Sequence, residues 1–313
     1  MSSDVVHVAV GVIMKDDQVL IAKRPDHVHQ GGLWEFPGGK INADETVGAA
    51  LQRELAEELY IHVEKSQPLI TIPHDYHDKR VFLDVHMVSG FSGEPRGGEG
   101  QEIRWVSLNE LGNYQFPEAN QAIMSALLLP DKYMITGKFT DFADCERKLE
   151  AAIKRGIKMI QLREKDMAET EFLELANRLH KITSASGVKL ILNTSIELFA
   201  QTMADGIHFT GQRLRECQEP PVGIDKLFST STHTLEELQH ADDLGADFAM
   251  LSPVLPTQSH PGEPALGWEK FQEIVSQVSI PVYALGGMTA DMVEVARNHG
   301  AQGIAAITAL WES

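Results

Sequence analysis

Cysteine is almost missing from this 313-residue chain: Cys145 and Cys217 are the only two, too far apart in sequence to form a metal-type pair. Their scarcity excludes a disulfide framework and fits a reducing, cytoplasmic compartment. No apolar run approaches the ~20 residues that a membrane-spanning helix needs. The opening Met1-Ser2-Ser3-Asp4 lacks a basic start followed by an apolar stretch, so no secretory leader is expected. Low-complexity tracts and short repeats are also missing, which excludes a solenoid. Basic residues are few beside acidic ones, 27 against 45, for a formal charge of −18. Such a surface repels the backbone of a long nucleic acid. A small polyphosphate remains compatible with it, because bound divalent cations reverse the local sign.

The length exceeds one small domain and fits two, and an apolar content of 43% suffices for substantial cores. Val5–Ile13 and Val19–Ala22 read as strands joined by a turn at Asp16-Asp17. Thr46–Tyr60 reads as a helix with Leu51, Leu55 and Leu59 at four-residue spacing. Val81–Val88 and Ile103–Val106 are further strands, and Gln121–Leu129 is a closing helix. At Leu129-Pro130-Asp131 the grammar changes, which sets the expected domains at 1–129 and 130–313. From there strand and helix patterns alternate to the end. The strands are Tyr133–Thr136, Met159–Arg163, Leu190–Asn193, Gly206–Phe209, Leu227–Thr230, Phe248–Ser252, Val282–Leu285 and Gly303–Ile307. Eight such units imply an α/β (β/α)₈ barrel, although the connection holding Glu219-Pro220-Pro221 is a poor helix.

The strongest chemical signal lies on the first helix. Glu54, Glu57 and Glu58 stand at i, i+3 and i+4, within an arc of about 100°. Three neighbouring carboxylates repel one another and weaken a helix unless a cation offsets them. Hard oxygen ligands on one face suit magnesium, with manganese as the alternative. Arg53 can orient a carboxylate through a bidentate pair. A solvated acidic helix is the bland alternative for such a cluster on its own.

The surrounding spacing resembles the Nudix box, with Gly39, Glu45, Arg53, Glu54, Leu55, Glu57, Glu58 and Ile61 in register. One departure is Tyr60, where the family has the glycine that ends the helix. The flanks resemble the MutT branch: Trp34-Glu35-Phe36-Pro37-Gly38-Gly39-Lys40 before the box, then Gly93-Glu94-Pro95, Glu99-Gly100-Gln101 and Phe116-Pro117-Glu118-Ala119-Asn120 after it. The resemblance implies an α+β Nudix fold, a mixed sheet between helices. It implies that Glu54, Glu57, Glu58 and Glu99, with the Gly38 carbonyl, hold the metal, and that Glu54 or Glu99 accepts the proton, with Glu57 and Arg53 also in the catalytic group. Arg24, Glu35, Phe36, Tyr76, Lys79 and Asn120 would receive a nucleoside triphosphate. The implied reaction is Mg²⁺-dependent hydrolysis of 8-oxo-dGTP or a related oxidised purine nucleotide to monophosphate and pyrophosphate. Read without the resemblance, Asn120 is a turn or cap residue and Arg24 a surface arginine.

In the second half, polar residues gather at strand ends, where barrels of this kind place their sites. Gln161-Leu162-Arg163-Glu164-Lys165-Asp166, Ala204-Asp205-Gly206-Ile207-His208, Ser231-Thr232-His233, Pro253-Val254-Leu255-Pro256-Thr257 and Ala284-Leu285-Gly286-Gly287-Met288 resemble the thiamine-phosphate synthase and TenI-like superfamily. The likeness implies that Gln161, Arg163, Lys165 and Asn193 contact an aminopyrimidine diphosphate, and that Thr257 and Gly287 bind phosphate. Three departures stand out. Thr194 and Arg213 occupy positions where synthases carry magnesium-binding Asp, and His260 replaces a lysine. Loss of two carboxylates argues against synthase chemistry. A TenI-like tautomerase needs only a proton shuttle, for which His233 is a candidate, and its bland reading is a satisfied polar residue. The expectation is a barrel that is TenI-like or non-catalytic. The rivals are an active thiamine-salvage enzyme, whose first half cleaves thiamine or pyrimidine diphosphates, and a phosphate-ligand sensing module.

Overall fold

The computed structural model describes residues 5–28, 30–75, 80–257 and 264–312. Tyr76, Lys79 and His260 therefore lie outside the described residues. The chain divides into two compact units, Met1–Leu129 and Pro130–Ser313. Among the described residues no helix is long and apolar enough to cross a membrane.

The first unit contains β1 (Val6–Lys15), β2 (Gln18–Lys23), β3 (Trp34–Glu35), β4 (Gly38–Lys40), α1 (Val47–Leu59), β5 (His62–Asp75), β6 (Arg80–Ser92), β7 (Ile103–Ser107) and α2 (Gln121–Leu128). The sheet runs β3-β2-β1-β6-β5, with β4 also paired to β1 and β7 to β2. It is mixed: β1 lies parallel to β6 and antiparallel to β2 and β4. Alternation along β1 serves two cores at once. Val10 and Val12 join Ile123 and Ala126 of α2 on one face. Ala9 and Ile13 join Leu51, Leu55 and Leu59 of α1 on the other. Between them, Gly11 admits α1 closely, since a Cβ there would stand 2.8 Å from Leu55 Cδ1. Burial of each of these leucines contributes about 1.5–3 kcal/mol. The sheet between helices is the expected Nudix architecture.

Three strands escaped the sequence pattern: the short β3 and β4, and the long β5. β5 spans fourteen residues, includes Pro68 and Pro73, and carries three register shifts against β6. It lies at the end of the sheet order, where one row of backbone groups needs no ladder partner, so proline and bulges are tolerated.

The second unit alternates β8 (Lys132–Ile135), α3 (Phe142–Lys154), β9 (Met159–Leu162), α4 (Glu169–Ala185), β10 (Lys189–Leu192), α5 (Ile196–Phe199), β11 (Gly206–Phe209) and α6 (Gly211–Glu216). It continues with β12 (Leu227–Thr232), α7 (Leu235–Asp243), β13 (Phe248–Leu251), α8 (Gly267–Val275), β14 (Val282–Leu285), α9 (Val293–Asn298), β15 (Gly303–Ala306) and α10 (Thr308–Trp311). Strands β8 to β15 form a closed parallel barrel. The connection with Pro220 and Pro221 holds only the six-residue α6. Tyr133, Phe248 and Tyr283 fill the barrel with ring centroids 5.2–5.7 Å apart. The strands occupy the expected places.

Helix α1 begins at Thr46, whose hydroxyl accepts from the Ala49 N–H at 3.2 Å, and stops at Tyr60. Tyr60 is left-handed, with φ 57°, and its N–H donates to the Ala56 carbonyl. A Cβ in this conformation costs about 1–2 kcal/mol, and the exposed ring recovers part of that by stacking under the Arg96 guanidinium, 4.3 Å from the centroid. Tyr60→Gly and Tyr60→Ala both delete that contact and differ only in the Cβ. The glycine variant is expected to be the more stable by about 1 kcal/mol, read from amide exchange along α1; equal protection in both would show that the cap is unstrained.

Candidate active site and a second, altered mouth

Three segments of the first unit converge on α1. The first is β4, in register with β1 at Ala9↔Gly39 and Val10↔Gly38. A Cβ on Gly39 would stand 2.1 Å from Glu54 Cδ, so only glycine lets that carboxylate lie against the strand. The second is the loop before β7. Its backbone is stitched to the last carbonyls of α1: Gly98 N–H donates to Glu58 O at 2.7 Å, Arg96 N–H to Leu59 O at 3.2 Å, and Gln101 Nε2 to Glu58 O at 3.1 Å. Gly98 must lack a side chain here, because a Cβ would stand 2.4 Å from Glu57 O. This stitching satisfies open helix-end carbonyls and carries Glu99 to the carboxylate face. The third segment is the 3₁₀ turn Glu118–Asn120.

Arg53 organises the glutamates. Its Nε and Nη2 donate to the two oxygens of Glu45 at 3.0 and 2.8 Å, Nη2 also to Lys40 O at 2.9 Å, and Nη1 to Glu54 at 2.6 Å. Bonds from Arg53, then from the Asn42 N–H, hold the Glu45 carboxyl down at about 2. Glu45 is thus the anchor that aims Arg53, a role its place in the sequence register alone did not reveal. Glu57 is the exposed member, 3.7 Å from Arg53 Nη1. Glu58 is half-buried and accepts from the Gly38 N–H at 3.2 Å. Burial, then the nearby charges of Glu35 and Glu54, push its carboxyl up to about 8, with Glu99 adding to the effect. Among the described residues no three His, Cys, Asp or Glu side chains converge to hold an ion as they stand. Arg53 and the Gly38 N–H each draw one glutamate aside. Still, burial and then the neighbouring carboxylates raise Glu58, and carboxylates on adjoining turns are the donor set that a hard divalent cation offsets. The residues fit such an ion.

Beside this cluster lies a cavity of about 210 Å³ lined by Arg24, Glu35, Phe36, Gly38, Gly39 and Asn120, among others. Arg24 and Glu35 form an ion pair. Burial raises the Glu35 carboxyl although Arg24 opposes it. Phe36 stacks on Phe116 with centroids 5.4 Å apart. Asn120 is 9% exposed, caps no helix through its side chain, and turns its Oδ1 toward the Phe36 N–H at 3.5 Å. Gln30, which also lines the cavity, had no sequence signal.

In the barrel, Gln161 is fully buried, donates Nε2 to Tyr133 Oη at 3.0 Å, and accepts from Asn193 Nδ2 at 3.3 Å. The His208 ring lies between Ser229 and Ser231 hydroxyls, 2.9 Å from each. Burial, with repulsion from Arg163 and Arg213, pushes its imidazole down to about 3, so the ring is neutral. Arg163 is fixed through its backbone, whose N–H donates to Thr136 Oγ1 at 3.0 Å, and Lys165 is exposed. His233, 47% exposed in its side chain, is held by Glu237 on α7 through its backbone N–H at 2.8 Å and its ring Nδ1 at 3.2 Å. Thr257, Gly286 and Gly287 border a cavity of about 420 Å³ beyond β14 and β15. Gly287 has φ 70°, and a Cβ on it would stand 2.8 Å from Leu255 Cβ, so the backbone is bared there. Such glycines present N–H groups to an anion.

The divalent cation of the synthases finds no such fit. Thr194 is 5% exposed and brings no carboxylate. Arg213 directs Nη1 onto the Thr194 carbonyl at 2.9 Å and Asn193 Oδ1 at 3.5 Å. A fixed positive charge occupies that side of the mouth.

Comparison with known proteins agrees with both halves. The NUDIX domain model matches residues 9–126, and the thiamine monophosphate synthase model matches residues 132–310. A provisionally named thiamine-phosphate synthase 2 of Aquifex aeolicus is 35% identical over 184 residues, 59% of this chain and 99% of that protein. A MutT structure from a study of Aliivibrio salmonicida and Vibrio cholerae is 38% identical, covering 40% of this chain and 98% of that one, with a TM-score of 0.36. Thiamine phosphate pyrophosphorylase of Pyrococcus furiosus is 25% identical, covering 58% and 88%, with a TM-score of 0.49. The chain therefore belongs to the thiamine monophosphate synthase family through residues 132–310 and carries a NUDIX hydrolase domain ahead of it over residues 9–126.

Proposed function

We propose that residues 1–129 sanitise the nucleotide pool, hydrolysing 8-oxo-dGTP or a related oxidised purine nucleoside triphosphate to the monophosphate and pyrophosphate with Mg²⁺. The coarser statement, a pyrophosphohydrolase of a family that uses divalent metal ions, follows from the NUDIX domain. The observation that carries the finer one is that Asn120 and Phe36 share a single cavity with Gly38, Gly39 and Arg24, beside the α1 carboxylates. Asn120 offers an acceptor and a donor pair to a purine edge, and Phe36 gives an apolar flank.

Glu54, Glu57, Glu58 and Glu99, with the Gly38 carbonyl, would hold the ion. The chemistry such an ion would supply is neutralisation of phosphate oxygens and a more acidic bound water. The chain's own side chains do the rest. Arg53, locked on Glu45, keeps Glu54 oriented. Glu54 or Glu99 takes the proton of the attacking water. Arg24 is the cation that meets the triphosphate. The barrel, residues 130–313, is TenI-like or non-catalytic in this reading, because Thr194 and Arg213 leave a diphosphate leaving group without its counter-ion. A thiamine-precursor phosphate remains the ligand class suggested by its family.

Three outcomes test the reading. Glu57→Gln is expected to lower kcat at least about a hundredfold, since removal of a direct ligand exceeds the loss of an outer partner; a variant that retains wild-type turnover would place the centre elsewhere. On a panel of triphosphates, kcat/KM for 8-oxo-dGTP should exceed that for dGTP, and Asn120→Ala should reduce the ratio; equal efficiency on both in the wild type defeats the specificity. The third concerns Glu58, whose carboxyl is raised from its ordinary 4.5 to about 8. A raised acid means that the metal-free fold holds the proton more tightly than the unfolded chain. Its contribution to stability is thus complete below about 4.5 and is lost as pH climbs toward 8. At pH 7, Mg²⁺ must displace this proton, so calorimetry in buffers of different ionisation enthalpy should report release of about one proton per binding event. Glu58→Gln should abolish that release, and an unchanged value in the variant would assign the proton to another group.

A further inference from the structure

Among the charged groups of the barrel mouth, Arg213 is the one whose position contradicts the chemistry of its family. It projects from α6, which directly follows β11, and reaches back to the end of β10, where its Nη1 holds the Thr194 carbonyl at 2.9 Å and Asn193 Oδ1 at 3.5 Å. Asn193 in turn donates to Gln161 at 3.3 Å, and Gln161 donates to Tyr133 at 3.0 Å. The guanidinium is therefore the outer end of a polar chain that runs from the buried Tyr133 on β8 through Gln161 on β9 and Asn193 just after β10 to α6. Both Arg163, at the end of β9, and Arg213 act electrostatically on the buried His208 ring. Carboxylates near them include Glu164 beside Arg163, and Glu197 and Glu216, which line one cavity with Arg213. Glu197 stands on the exposed first turn of α5, not among the groups that hold Arg213.

We propose that Arg213 does the electrostatic work of a metal ion in this barrel, so that the mouth binds a phosphorylated ligand through Arg213 and Arg163 without any divalent cation. Among the described residues, Arg213 bonds protein acceptors through Nη1, and a guanidinium carries further N–H donors in a plane suited to phosphate oxygens. A divalent cation brought to the same side would face this fixed positive charge with neither Thr194 nor Arg213 able to supply an anionic oxygen. One positive charge matches a phosphate monoester better than a diphosphate in the act of leaving. The proposal concerns the second unit alone and stands whatever the first unit hydrolyses.

The test uses the full chain with Glu54→Gln, Glu57→Gln, Glu58→Gln and Glu99→Gln, which removes the carboxylates assigned to the first unit. Inorganic phosphate is titrated by calorimetry in EDTA and again in Mg²⁺, and Mn²⁺ uptake is followed by electron paramagnetic resonance. Phosphate should bind equally in both buffers, and Mn²⁺ should find no site even with phosphate present. Adding Arg213→Gln should weaken phosphate binding about tenfold or more, while Arg213→Lys, which keeps the charge, should lose less. Reintroducing carboxylates, with Thr194→Asp and Arg213→Asp together, should create Mn²⁺ uptake in the same background. Phosphate binding that needs Mg²⁺, or that is untouched by Arg213→Gln, overturns the proposal. Failure of all phosphate binding in EDTA overturns it as well.

Discussion

Gathering like charges on one turn of a helix is costly, and the first unit is built around that cost. Two unit charges a few ångströms apart near a protein surface interact by about 4 kcal/mol, so Glu54, Glu57 and Glu58 cannot share a face unaided. The apolar side of α1 supplies the opposing force, because Leu51, Leu55 and Leu59 are fully buried against β1 and fix the helix whatever its outer face carries. Arg53 supplies the second opposing force, spanning Glu45 and Glu54 in one plane. Burial, with the remaining repulsion from Glu35 and Glu54, raises the Glu58 carboxyl. Glycines at 39 and 98 follow from the same requirement, since the strand and loop that bring the site together must pass within van der Waals distance of α1.

Much of this was legible in the residues. Four-residue leucine spacing gave α1, strand and helix alternation gave the barrel, and the Gly39-to-Ile61 register located the carboxylate helix. What could not be read were relations between segments. β5 was hidden because edge position relaxes the rules that make a strand recognisable: prolines and bulges blurred its period. Gln101 and Gly98 matter through contacts to helix carbonyls more than forty residues upstream for Gln101, a pairing that no local pattern encodes. Asn120 had two readings, cap or ligand, and its side chain caps nothing. His233 was a candidate shuttle in sequence; in the fold its ring and backbone are both held by Glu237. Arg213 was visible only as a departure, and its partners emerged with the geometry.

The two units thus treat positive charge in opposite ways. In the first, carboxylates gather on one face of α1, and on the proposed reading a divalent cation from solution would offset them. In the second, the cation is part of the chain and is held by a carbonyl and an amide. That distinction has chemical consequences. A hydrated divalent ion brings coordination positions and a water made acidic, so it can assist bond cleavage as well as bind. A guanidinium orients and neutralises, but it does not deprotonate at physiological pH and generates no hydroxide. On the proposal made above, a barrel that has exchanged carboxylates for arginine would still recognise phosphate but would lack the means to drive off a diphosphate. Cleavage of a phosphate chain would then fall to the half that still collects carboxylates on one helix.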